Sequence, residues 1–314
     1  MNPEQGWQRA ETMKRPFAIP AIISIIIMAL AVIPAVVITG CITSQEWSVD
    51  DDGFLKYQGC EPDYQLTLLG TADNYTLHGV HFTSRDATIA GLLRIPHTMR
   101  TEDRVPGIVL LPGATVTKEG EQRLAKYLCG LGYGSIAIDQ RNLGGIDMEG
   151  DLAAFLRDEE SVQHKMVHDA LSAAGVLRDQ PTIDPARTLY LGESNGGRFA
   201  IIASALDSDA CGVIAISTCG YGIDAAVASG QIQDPDMVRF YRSIDPDTYL
   251  NEISPRKFVM IHSVNDTIIP YDSAQQTYMK IGGRKSLHTA LKEGHGYSAE
   301  MNPFLEEELA EMFF

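Results

Sequence analysis

The chain has 314 residues, of which 45% are apolar and 21% charged, a balance that excludes a disordered chain and leaves ample material for a buried core and a pocket. Acidic side chains number 41 against 25 basic ones, and the net charge of −16 repels phosphate backbones, so nucleic acid is not an expected partner. The cysteines Cys41, Cys60, Cys129, Cys211 and Cys219 show no C-x-x-C spacing, which argues against a zinc knuckle or a redox pair.

Residues 1–16 are polar and end in Lys14 and Arg15, after which no charge occurs from Phe17 to Thr39. As a helix that run is about 35 Å long, enough to cross a bilayer core with some tilt. Pro20 and Pro34 lie inside it, which membrane helices tolerate better than soluble ones. The basic flank predicts a cytoplasmic N-terminus, a transmembrane or signal-anchor helix at 17–39, and a main domain on the extracytoplasmic side. Two other readings share the pattern. One is a cleaved secretory signal; the other is a lipoprotein signal in which Ile38-Thr39-Gly40-Cys41 is the lipobox and Cys41 takes the lipid.

Residues 40–75 read as a loosely structured connector with few periodic apolar positions, and 76–314 as the domain. Leu77–Thr83 and Thr88–Ile95 alternate as an antiparallel pair joined around Ser84-Arg85-Asp86. Gly107–Leu111 is a short apolar strand of the buried parallel kind, Glu119–Leu131 a helix, and Ser135–Asp139 the next strand. A long helical stretch covers Asp158–Arg178, followed by the strand Arg187–Leu191, the helix Gly197–Leu206 and the strand Gly212–Ile216. Lys257–Ile261 and Leu287–Leu291 read as strands, with helices at Ser273–Ile281 and Pro303–Phe313. This alternation predicts an α/β fold, a mainly parallel sheet with helices on both faces and ligands at the carboxyl ends of the strands. Residues 220–255 interrupt it with Gly, Asp and Pro clusters. They read either as a small lid or as an ordinary connecting helix with irregular ends.

Gly192-Glu193-Ser194-Asn195-Gly196 lies between a predicted strand and a predicted helix. A nucleophile on so sharp a turn needs glycine two residues before and two after it, because side chains there would clash. A serine hydroxyl also needs a base, and the base an orienting carboxylate. The strand Lys257–Ile261 runs into Asp266, and the strand Leu287–Leu291 into Gly294-His295-Gly296, which puts both groups on the rim that holds Ser194. The order Ser, Asp, His is the one this chemistry takes on such a sheet. Asp245 and Asp272 are rival carboxylates. His78, His81, His97 and His288 sit in or beside strands and read as structural, while His262 lies close to the acid as a strand-end residue. His164 and His168 are four apart on a helix but lack the glutamate of H-E-x-x-H, so no metal is expected. Acyl transfer needs amides aimed at the oxyanion, and the N–H groups of Asn195 and of Ala114, after the first parallel strand, are best placed.

Four stretches together carry a resemblance. They are Leu111-Pro112-Gly113-Ala114; Asp139-Gln140-Arg141-Asn142-Leu143-Gly144-Gly145; Asp184-Pro185-Ala186-Arg187 leading into the serine turn; and Asn265-Asp266 through Pro270, with His295 beyond. Over residues 76–314 the chain resembles α/β-hydrolases of the prolyl-oligopeptidase-like and dienelactone-hydrolase-like kind. The resemblance implies esterase, peptidase or related acyl-hydrolase activity without a cofactor, and a triad on Ser194, Asp266 and His295. Pro112-Gly113 stands where many members have His-Gly, and a serine replaces the cysteine of dienelactone hydrolases. The resulting expectation is a membrane-anchored serine hydrolase that cleaves carboxylic esters or small amides through an acyl-enzyme. A serine peptidase and a non-catalytic ligand-binding domain of the same fold are the alternatives.

Overall fold

The computed structural model describes residues 46–59, 62–98, 103–292 and 294–314. The expected membrane helix at 17–39 and the lipobox cysteine Cys41 lie outside the described residues, as does Cys60. Among the described residues no helix is long and apolar enough to cross a membrane.

The chain opens with β1 (Trp47–Val49), β2 (Leu55–Tyr57), β3 (Tyr64–Thr71), β4 (Tyr75–Ser84), β5 (Ala87–Pro96) and β6 (Val105–Leu111). Helix α1 (Gln122–Gly130), β7 (Gly134–Ile138), α2 (Met148–Phe155), α3 (Val162–Arg178), β8 (Ile183–Glu193), α4 (Asn195–Leu206) and β9 (Ala210–Ile216) follow. Then come α5 (Ile223–Ala228), α6 (Pro235–Ile244), β10 (Lys257–Ser263), α7 (Tyr271–Lys280), β11 (Lys285–Ala290) and α8 (Asn302–Phe313). A 9-stranded sheet has the order β3-β4-β5-β7-β6-β8-β9-β10-β11. From β7 to β11 all neighbours are parallel, while β3, β4 and β5 form an antiparallel wing whose last strand pairs antiparallel with β7. This is the α/β-hydrolase fold.

The parallel strands are buried on both faces, which is why they read as unbroken apolar runs. Along β6, Val109 and Leu111 enter one core cluster, while Ile108 and Leu110 enter the other. Phe258 and Met260 of β10 alternate in the same way with Val259 and Ile261. Helices α3 and α4 cover the first face, and α1 and α8 the second. Helix starts obey local chemistry: the Ser161 hydroxyl accepts from His164 N at 3.2 Å at the head of α3, and the Asp147 carboxylate from Gly150 N at 2.9 Å at the head of α2.

Two expectations need correction. The connector 40–75 is not loosely structured where it is described: β1 and β2 pair as a hairpin, and β3 forms the sheet edge. Strand β3 showed no alternation because neither of its faces is buried; Leu68 and Leu69 are 59% and 56% exposed. The helical stretch from Asp158 starts later, at Val162, because Asp158 has φ 59° and Ser161 provides the cap. Residues 220–255 form α5, α6 and a 3₁₀ segment, and Phe240, Ile244, Tyr249, Leu250 and Ile253 join the main core.

That insertion is held by an aromatic cluster around His164. The imidazole lies 5.6 Å from the Trp47 ring and 6.0 Å from those of Phe155 and Phe240, and its Nε2 meets the Ser243 hydroxyl at 2.7 Å. The residue four positions on, His168, meets Ser84 instead, at 2.8 Å. Burial drives the His164 imidazole down to about 3.

A histidine depressed in the folded state is neutral there but takes up a proton when unfolded. Its contribution is therefore present above the unfolded value near 6.5 and is lost as pH falls towards 3. We predict that lowering the pH from about 7 to about 5 removes about 2 kcal/mol through this one group. In urea titrations at the two pH values, His164→Asn should lose clearly less stability between them than the wild type; an equal loss would sink the assignment.

Candidate active site

Strand β8 delivers the chain to Ser194, and α4 leaves it one residue later. The turn is as tight as backbone packing allows. A Cβ on Gly192 would lie 2.3 Å from the Gly196 carbonyl oxygen, and one on Gly196 would lie 2.2 Å from the Leu111 oxygen and 2.3 Å from that of Pro112. Ser194 absorbs the bend at φ 52°, ψ −118°, a region that costs a non-glycine residue on the order of 1–3 kcal/mol. The surroundings hold it there: Ser194 N donates to Ile216 O at 2.8 Å, and Gly197 N donates to Ser194 O at 3.1 Å.

The predicted acid and base meet. His295 Nδ1 lies 2.8 Å from Asp266 Oδ2, and Asp266 Oδ1 accepts from the backbone amides of Ile268 at 2.9 Å and Ile269 at 2.8 Å. Burial alone would raise the Asp266 carboxyl. The Ile269 amide, His295 and the Ile268 amide outweigh it, and the net displacement is downward, so the group stays ionised. His262 is fully buried and meets the Ile269 carbonyl through Nε2 at 2.9 Å, with Asp266 Oδ2 at 3.4 Å. It braces the acid loop from behind. The rival Asp245 is occupied in accepting from Tyr221 N and Ile223 N, and Asp272 is exposed in the first turn of α7.

Two ties close the His295 loop onto the serine turn. Gly296 N donates to Ser217 Oγ at 3.0 Å, and Tyr297 N donates to Glu193 Oε2 at 2.6 Å. Glu193 immediately precedes Ser194, and Ser217 follows β9 with φ 49°. Among the described residues no hydrogen bond joins the Ser194 hydroxyl to His295. Such contacts are often open without substrate and tighten when it binds.

The expected oxyanion donors border the same turn. A Cβ on Gly113 would lie 3.4 Å from that of Ser194, so the loop after β6 rests on the serine. Neither Asn195 N nor Ala114 N donates to a protein acceptor among the described residues. The loop after β7 backs both. Thr115 N donates to Leu143 O at 2.6 Å, and Asn195 Nδ2 donates to Gly144 O at 2.8 Å. Arg141 pins that loop with two bonds to Asp169, at 2.7 and 3.0 Å, and one to Ser84 O at 2.8 Å.

Sequence reasoning missed Glu193 and Ser217. Only Glu193 carried a signal, as the residue before the expected nucleophile. The role of Ser217 depends on where distant segments pack.

A model of the acetyl xylan esterase (AXE1) family matches residues 62–265, a span that includes Ser194 and stops one residue before Asp266. A protein of Escherichia coli O157:H7 described as uncharacterized protein YfhR is 22% identical over 207 residues, 66% of this chain and 69% of that protein. Acetyl xylan esterase 1 from Thermoanaerobacterium sp. JW/SL YS485 superposes with a TM-score of 0.66 at 16% identity, over 81% of this chain and 89% of that one. The acetyl xylan esterase from Paenibacillus sp. R4 gives 0.63 at 17%, over 82% and 89%. The acylaminoacyl peptidase of Pyrococcus horikoshii gives 0.58 at 20%, over 77% of this chain and 42% of that one. At these identities the structural likeness speaks for the fold.

The glycine contacts yield a direct test. Gly196→Ala forces its new methyl into two backbone carbonyls that have no room to retreat, and should cost at least about 2 kcal/mol or prevent folding. Chemical denaturation would check this; a variant as stable as the wild type would contradict the packing described.

Proposed function

The chain belongs to the acetyl xylan esterase family, and from that premise we propose that it is a serine esterase that removes small acyl groups, acetyl foremost, from hydroxylated substrates through an acyl-enzyme. The observation that carries the reading is the 2.8 Å bond between His295 and Asp266 beside the strained Ser194 turn. The names of the relatives support acetyl esters as the substrate class.

In this mechanism Ser194 Oγ attacks the ester carbonyl carbon while His295 Nε2 takes its proton. Asp266 keeps the imidazole in the tautomer with its proton on Nδ1 and stabilises the cation that forms. The negative charge on the carbonyl oxygen is met by the N–H groups of Asn195 and Ala114, the former at the head of α4, where the helix dipole adds to it. Collapse expels the alcohol, which takes the proton from His295. Water then repeats the attack, and acetate leaves with Ser194 restored.

We propose further that the N-terminal segment tethers the domain on the extracytoplasmic side of a membrane, either through the uncharged run 17–39 as a helix or, once that run is cleaved, through a lipid on Cys41. The charge pattern of Lys14 and Arg15 before an apolar run supports this. Mass spectrometry of the mature N-terminus, with alkaline extraction of membranes, distinguishes anchor, lipid and cleavage. A full-length chain recovered entirely from the aqueous fraction would refute the tether.

For the chemistry, we predict that Ser194→Ala abolishes both fluorophosphonate labelling and turnover of p-nitrophenyl acetate, and that Asp266→Asn lowers kcat by roughly 10³–10⁴-fold. Acetate release from acetylated xylo-oligosaccharides should exceed cleavage of matched fluorogenic peptides. Faster peptide cleavage would turn the assignment to a peptidase, and a well-folded protein with no probe reaction would turn it to a binding domain.

A further inference from the structure

The loop that carries Ala114 runs from the end of β6 to the start of α1, and a residue at the end of the neighbouring strand grips it. Asp139 directly follows β7, and its amide donates to Ala90 O of β5 at 2.9 Å, so the residue is fixed to the sheet. Both of its carboxylate oxygens reach into the loop: Oδ1 accepts Lys118 N at 2.9 Å, and Oδ2 accepts Lys118 Nζ at 2.7 Å. Lys118 is held from its other side as well. Its carbonyl accepts Gln122 Nε2 at 3.0 Å, and Gln122 Oε1 accepts Nη2 of Arg94, from β5, at 2.8 Å. Arg94 is 1% exposed, and its guanidinium lies 4.0 Å from the centroid of the Tyr75 ring, so this line of bonds ends in the core. Between these ties and β6 the loop turns sharply. Val116 N donates to Gly113 O at 3.2 Å, and Thr115 takes φ 69°, which a β-branched residue keeps only where its surroundings hold it.

We infer that Asp139 positions the oxyanion loop, holding Lys118 so that the Ala114 amide keeps its aim at the developing anion; the inference rests on the reading of Ser194 as nucleophile and of Ala114 N–H as an oxyanion donor. Asp139 acts through Lys118 and is therefore a positioning residue. Of its two bonds, the one to the backbone does the holding. Lys118 Nζ also meets Glu119 Oε1 at 3.0 Å, and the ion pair with Asp139 is partly open to solvent, where such pairs contribute little. The bond from Lys118 N to Oδ1 fixes the chain itself. The segment that begins with Asp139 thus braces the loop at two points, since Thr115 N donates to Leu143 O at 2.6 Å. An oxyanion donor works only when it stands about 2.7–3.1 Å from the place the oxygen will take. A misplacement on the order of 1 Å can cost about 10²-fold in rate. Freeing Lys118 lets Ala114 drift while Asn195, at the head of α4, keeps its place, so one of the two donors weakens and the nucleophile is left where it was.

The test compares kcat and KM for p-nitrophenyl acetate, and inhibition by trifluoroacetone, in the wild type, D139A, D139N, Q122A and S194A. Addition of the serine oxygen to the ketone carbon leaves the ketone oxygen as an anion, which mimics the charge the loop should bind. D139A should lose kcat by roughly 10–100-fold with KM changed less than about threefold, and its affinity for the ketone should fall in parallel. D139N keeps a carbonyl oxygen for Lys118 N and should recover most of both. Wild-type kcat in D139A, a loss of kcat with ketone affinity intact, or a D139N as impaired as D139A would each overturn the inference. If D139A does not fold, Q122A decides: freeing the Lys118 carbonyl should lower kcat and ketone affinity together by at least about threefold, and wild-type values of either would overturn it. Turnover that survives in S194A would instead overturn the nucleophile assignment, a separate failure.

Discussion

The carbonyl oxygens of Leu111 and Pro112 lie against the α-carbon of Gly196, and that contact governs where the serine stands. With Gly192 equally close to the far side of the turn, only one backbone route leads from β8 to α4, and it passes through a positive φ at Ser194. The strain is borne by the sheet, since neighbouring β9 supplies the Ile216 carbonyl that receives the Ser194 amide. A hydroxyl delivered by rigid strands is placed more reproducibly than one on a free loop. The loop of His295, the proposed base, is tied to that turn through Ser217 and Glu193 and bonds to Asp266, the proposed orienting carboxylate.

Two carboxylates near this point show how surroundings set chemical character. Asp266 is buried, yet two backbone amides and the imidazole keep it charged, as its proposed role requires. Glu121 is buried too, and burial, with the negative charge of Glu193 added to it, drives its carboxyl towards the neutral acid. The side-chain chemistry is nearly the same; what differs is whether donors or anions face it.

How much was legible in the sequence depended on how local the cause was. The strands β6 to β10 were read correctly because burial on both faces leaves continuous apolar runs, and the serine turn because its glycines answer a constraint within five residues. The meeting of Asp266 with His295 was legible because each follows a strand end, and parallel strands bring their carboxyl ends to one rim. Strand β3 was missed because an exposed edge imposes no period on its side chains. The ties from Ser217 and Glu193 to the residues after His295 span 79 and 104 positions, and no local pattern marks them. Phe240 of α6 packs on Phe155 and His164, which come from two other segments.

The edge strand has a consequence of its own for the behaviour of the chain in bulk. From Tyr64 to Thr71 it carries no charge, and it presents to solvent three leucines and a row of amides and carbonyls that no other described strand pairs with, the usual template for strands of other molecules to add to. Within Tyr64–Thr71 there is no lysine or proline to guard it. What keeps copies apart is the excess of acid over the whole sequence, a net −16 whose repulsion acts before two edges can touch. That protection is a long-range field, and ions shorten its reach to about 3 Å at 1 M salt. Colloidal stability in this protein is therefore a property of its ionic medium as much as of its fold.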